Sequence, residues 1–137
     1  MAALTAEVRQ LRLAVEALAR SQTETQTLSV YLQAQQGRIM QITQQLDAAR
    51  KEIDSATAST RDLETQVKVM QDEASGLTER GQRAGLESAI RAMEAERNGL
   101  DLKLQQARAR ENDLSRTLAL EENRWNDALS RMQRLTQ

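Results

Sequence analysis

The chain has 137 residues, with 19 basic and 20 acidic side chains, one Trp, one Tyr, and no His, Cys, Pro or Phe. So few large rings argue against a rounded globular core, which draws much of its buried area from them. The interleaved charge, net −1, leaves no basic stripe for nucleic acid.

Leu, Ala, Val, Ile and Met among many Gln, Arg and Glu is the mixture of long helices, and the absence of Pro removes the commonest helix breaker. No run of about eighteen apolar residues exists to span a membrane. The opening Met1-Ala2-Ala3-Leu4 lacks the apolar region and cleavage site of a signal peptide.

The first element is a stripe at Leu4, Val8, Leu11, Val15 and Leu18, whose steps alternate four and three residues. That is the 3.5-residue period of a helix seam, which must be covered because its apolar row is unfavourable in water. The polar face carries Glu7 and Glu16 beside Arg9, Arg12 and Arg20, too weak a basic bias for a helix lying on a membrane. Next comes Ser21-Gln22-Thr23-Glu24-Thr25-Gln26-Thr27, with no apolar residue, where the seam continues only through an extra step of three.

A second stripe runs Leu28, Leu32, Gln35, Ile39, Ile42, Leu46, Ala49, Ile53, Ala56, Thr60, Leu63, Val67, Met70, Ala74 and Leu77. Three of the five glycines follow within ten residues, at Gly76, Gly81 and Gly85. Each lowers helix propensity by roughly 1 kcal/mol and can supply a left-handed cap, so the spacing predicts a turn near residues 76 to 84.

Beyond the turn a third stripe runs Leu86, Ile90, Met93, Arg97, Leu100, Leu104, Ala107, Glu111, Leu114, Leu118, Glu121, Trp125, Ala128, Met132 and Leu135. Laid antiparallel with Ala74 opposite Leu86, the two long stripes bring Val67 to Met93, Ile53 to Ala107, Ile42 to Leu118 and Leu28 to Met132. Small meets large along the row, as close packing requires. A slide of one heptad sets Glu121 on Leu46 and Glu111 on Ala56, a poorer match. The polar members Gln35, Thr60, Arg97, Glu111 and Glu121 read as residues that fix register, with long side chains reaching the seam edge.

In this register Leu135 reaches the level of Thr25, so residues 4 to 20 extend past the hairpin with nothing from the same chain to cover them. The same segment of a second copy, a folded-back position on the hairpin or another coiled-coil protein could cover Leu4, Val8, Leu11, Val15 and Leu18, and self-association is favoured because equal seams in symmetric pairs commonly bury such surfaces. Trp125 falls opposite Gln35 and near Gly37. It reads as an anchor for a partner, because Trp is enriched at binding hot spots, or as a plug whose indole N–H bonds Gln35.

Catalytic chemistry is missing. Without His or Cys there is no usual general base, thiolate nucleophile or soft metal ligand, and a two-helix rod offers no converging pocket. The Glu-x-x-His pair of di-metal bundles and glycine-rich phosphate loops are also absent. No enzyme activity, cofactor, metal or small-molecule substrate is expected.

The segments Leu4-Thr5-Ala6-Glu7-Val8-Arg9-Gln10-Leu11-Arg12 and Glu121-Glu122-Asn123-Arg124-Trp125-Asn126-Asp127, with the long Gln/Arg/Glu-rich middle, make the chain similar to uncharacterised, acidobacteria-like exported coiled-coil proteins of bacteria. This resemblance covers nearly the whole length. It implies a periplasmic location, with no signal peptide in this chain, and it implies no activity. Where such proteins often carry Pro after the first helical segment, this chain has Ser, Thr and Gln.

The expected fold is all-α: a long antiparallel two-helix coiled-coil hairpin with an N-terminal helical extension. Its parts are an association segment (1–22), a first hairpin helix (23–77), a Gly-rich turn (78–85) and a second hairpin helix (86–137). The expected function is a scaffold, spacer or tether acting through helix pairing and self-association. A nucleic-acid or membrane-surface binder is the competing class, and one continuous rod pairing in parallel is the competing architecture.

Overall fold

The computed structural model describes residues 2–136. It contains two helices, α1 (Ala2–Gly76) and α2 (Arg80–Leu135), and no strand among the described residues. The two helices pack against each other, so the protein is an all-α helical hairpin and the continuous rod is overturned. The chain divides into two compact units: residues up to Ile42 with Thr117 onward, and Thr43–Arg116.

In the unit Thr43–Arg116, buried Val67, Ala74 and Ile90 form a cluster, with Met70, Leu86 and Met93 against it. These residues belong to facing stripes in the register that opposes Ala74 to Leu86. Farther from the turn, Arg97 Nη1 lies 4.0 Å from Glu64 Oε1. A one-heptad slide would move these groups past one another by a full two turns, and the structure shows no such slide.

Both long stripes are buried or half-buried at every position, in whichever unit the position falls. By contrast, Val30, Met40, Val69, Leu102 and Leu120 lie off the stripes and are exposed. Periodicity, then, and not hydrophobicity by itself, decides which side chains are covered. Alanines 49, 56, 74, 107 and 128 are among the most deeply buried. Their small side chains let the helix axes approach while the larger neighbours fill the space between layers.

The turn is shorter than the glycines suggest. Only residues 77–79 are non-helical between Gly76, which closes α1, and Arg80, which opens α2. Leu77 N–H donates to Ala74 O at 3.2 Å and Arg83 N–H donates to Glu79 O at 3.1 Å, closing the two helix ends. Gly81 and Gly85, expected within a turn over 78–85, lie inside α2, and no glycine has a positive φ. Two helical glycines cost about 1 kcal/mol each. Burying Leu86 and Ile90 against the cluster stabilises by about 1.5–3 kcal/mol per fully buried side chain, enough to offset that.

The expected boundary near residue 22 is not a break in α1 either, because the helix runs through residues 21–27. Hydroxyl groups explain how. Thr23, Thr25 and Thr27 donate to the carbonyls of Ala19, Ser21 and Thr23 at 2.9, 2.8 and 2.9 Å. A Thr that bonds the carbonyl four residues back satisfies its hydroxyl within the helix. Within the same stretch Ser21 and Thr25 are half-covered, so the seam resumes one step of three after Leu18.

Candidate interaction surface

Two features of the unit formed by residues up to Ile42 and from Thr117 onward bear on recognition: a polar layer inside the seam, and an apolar stripe outside it. The polar layer centres on Glu121, 1% exposed, and Gln35, 3% exposed. The Gln35 amide donates to the Glu121 carboxylate, and also to the Glu121 backbone carbonyl at 3.1 Å. On the other carboxylate oxygen converge Arg38 Nη2 and Arg124 Nη1, each at 3.2 Å. Both guanidinium groups remain substantially in solvent while their charge reaches the buried carboxylate.

Such a layer is a condition on alignment. A buried carboxylate stripped of its donors is strongly unfavourable, whereas this one has an amide and two cations. A slide of one heptad either way would set Glu121 opposite Leu46 or Leu32. The sequence marks Glu121 and Gln35 as polar members of their stripes, but it does not reveal that they meet. It does carry a signal for Arg124, three residues after Glu121 on the same helix face. Arg38 has no such signal, since its role depends on the offset between two helices.

The remaining polar seam members have local solutions. Thr60 Oγ1 donates to Ala56 O at 2.8 Å. Arg97 runs its stem through the seam toward Glu64 at the edge, although its Nε is buried without a hydrogen-bond partner. Glu111 is half-buried.

The apolar stripe lies on α1 near its N-terminal end. Leu4, Val8, Leu11, Val15 and Leu18 are between 57% and 67% exposed, and every residue from 2 to 20 is exposed. Five large side chains thus share one helix face with no cover from the same chain. Isolated apolar residues on a surface need no explanation, but a row at seam spacing does.

Trp125 is half-buried in its seam position. The plug reading needs correction in two details. Among the described residues no hydrogen bond joins the indole to Gln35, whose amide nitrogen donates to Glu121. Nor does Gly37 make room for the ring, since a Cβ there would meet nothing within 4 Å. The residues expected at the turn are those described above: Gly76 ends α1, and Gly81 and Gly85 belong to α2.

Alongside the end of α2, Thr23, Thr27 and Leu28 line an open cleft with Arg131, Arg134 and Leu135. Among the described residues no three His, Cys, Asp or Glu side chains gather where they could hold a metal ion. No described helix is long and apolar enough to cross a membrane. Compared with known proteins, the chain matches no family model, no curated protein and no solved structure.

Proposed function

We propose that the protein is a non-catalytic scaffold, spacer or tether, built as a coiled coil and acting through helix–helix pairing, with residues 4 to 20 as its self-association segment. The observation that carries this reading is the uncovered stripe Leu4, Val8, Leu11, Val15 and Leu18 on a formed helix. Fully burying one such side chain is worth about 1.5–3 kcal/mol. Five on each partner therefore supply a driving force large enough to outweigh the ordering and orientation costs of association. The stripe is already helical, so little backbone ordering opposes pairing.

The rest of the chain supports a structural role. Its seams are consumed by pairing α1 with α2, and its composition lacks His and Cys for acid–base, nucleophilic or soft-metal chemistry. Trp125 serves the seam in this reading, partly covered in its stripe position.

Light scattering of the full chain across a concentration series, beside Leu11→Asp, tests the assignment. The expected result is a multiple of the 15.4 kDa chain mass for the wild type, and the chain mass for the variant, with helicity unchanged by circular dichroism. A wild type that stays monomeric into the high micromolar range, or a variant that assembles equally well, would overturn it.

A further inference from the structure

The residue types in the exposed stripe specify how two copies meet, an argument that rests on the self-association reading above. Leu4, Leu11 and Leu18 each stand before a four-residue gap or at the end of a three-residue one, and Val8 and Val15 stand before a three-residue gap. In heptad terms the leucines occupy d and the valines occupy a. A β-branched residue at a with Leu at d favours two strands in parallel dimers.

Charge gives a second, independent indication. Counting on from the same heptads, Glu7 is a g position and Arg12 is the e position that follows it. In a parallel pair, g on one strand lies beside the next e on the other, so Glu7 meets Arg12 of the second copy. Two-fold symmetry repeats that contact. In an antiparallel pair e faces e, which sets Arg12 toward Arg12 of the second copy when Leu11 lies opposite Val15 and beside Thr5 when Leu11 lies opposite Val8, so neither register gives the Glu7–Arg12 attraction. Glu7 and Arg12 are both exposed, and among the described residues neither is ion-paired within its own chain.

We infer that residues 4–18 form a parallel, two-stranded coil with the same segment of a second copy, flanked by reciprocal Glu7–Arg12 pairs. Two hairpins are thereby joined with their α1 helices pointing the same way at that segment.

The chain has no native cysteine, so disulfide trapping reads the orientation directly. Full-length Leu4→Cys and Leu18→Cys are equilibrated in a thiol redox buffer, each alone and as an equal mixture, and the linked peptides are identified by mass. Parallel pairing predicts links from 4 to 4 and from 18 to 18. It predicts none from 4 to 18, because fourteen residues of helix separate those positions by about 21 Å, far beyond disulfide reach.

A charge exchange supplies the second readout. Glu7→Arg should weaken the dimer by about tenfold, through two lost pairs and two like-charge contacts. Mixing that variant with Arg12→Glu should restore affinity. Links from 4 to 18, a dimer in which none of these links forms, or a mass of three or more copies would overturn the orientation and number while leaving self-association standing. A chain that never leaves the monomer would end both readings.

Discussion

Replacing Glu121 and Gln35 by leucine, singly and together, probes the polar layer most directly. In Gln35→Leu the carboxylate loses the amide donor on one oxygen while keeping Arg38 and Arg124 on the other. A hydrogen bond to a charged group contributes about 1.5–3 kcal/mol, so a loss near 2 kcal/mol is expected. In Glu121→Leu the Gln35 amide, in a residue 3% exposed, is left without its acceptor side chain. The backbone carbonyl of residue 121 still accepts from that amide, so the loss sits at the low end of the range of about 1–3 kcal/mol for an unmet buried polar group. Arg38 and Arg124 lose a partner in the same variant, but their side chains are 60% and 49% exposed, so water takes its place at small cost. The double variant has neither orphan and gains an apolar layer. Its stability should fall within about 1 kcal/mol of the wild type, giving a coupling energy of at least about 2 kcal/mol. Urea unfolding followed by circular dichroism measures all four chains, at one fixed protein concentration because association shifts apparent stability. Losses that simply add, to within about 0.5 kcal/mol, would refute the reasoning, since two side chains that touch in this way cannot act independently.

Three further outcomes are expected. Gly81→Ala and Gly85→Ala should each stabilise by about 0.5–1 kcal/mol, because both sites are helical, lack positive φ and leave a new Cβ in open space; a lowered melting temperature for either would show that the turn requires glycine. Ile90→Ala should cost about 2–5 kcal/mol through the cavity it leaves beside Val67 and Ala74, whereas Leu102→Ala, at an exposed site, should stay within about 0.5 kcal/mol; similar losses for the two would contradict the seam assignment. Spin labels at Arg50 and Arg110, with labelled chains diluted in unlabelled ones, should lie roughly 20 Å apart, given helix axes about 10 Å apart plus label length. A pulsed electron-spin measurement finding no short distance would contradict the hairpin.

The seam itself was legible from spacing. Alternating steps of four and three single out the residues that are covered, and the size match of Ala74 with Leu86 and Val67 with Met93 selects the register in which the Val67, Ala74 and Ile90 cluster forms. Two signals misled. The glycines speak only to local propensity, and the cost of about 1 kcal/mol at each of Gly81 and Gly85 yields to the packing of the turns that follow. The Ser/Thr/Gln run looks unlike a helix by composition, yet α1 continues through it, with the Thr hydroxyls bonded to carbonyls four residues back. What the sequence could not reveal was diagonal reach across the seam. Gln35 stands level with Trp125 in the register but turns its amide to Glu121, one helical turn away along α2. Which neighbour a long side chain chooses is set by charge and rotamer after the helices have docked, and a row of residues seen end to end does not contain that information.

The single step of three between Leu18 and Ser21 has a consequence for access. Measured against the 3.5-residue period of the seam, that step turns the face bearing Ser21, Thr25 and Leu28 about 50° around the axis of α1 from the face bearing Leu4 to Leu18. A helix seated on the first face therefore approaches from a different side than α2 does. Were the stripes in phase, α2 and an incoming helix would meet end to end in one groove, and either could advance only by displacing the other. Out of phase, they occupy separate lanes on the same helix, so pairing at the N-terminal segment and closure of the hairpin need not compete.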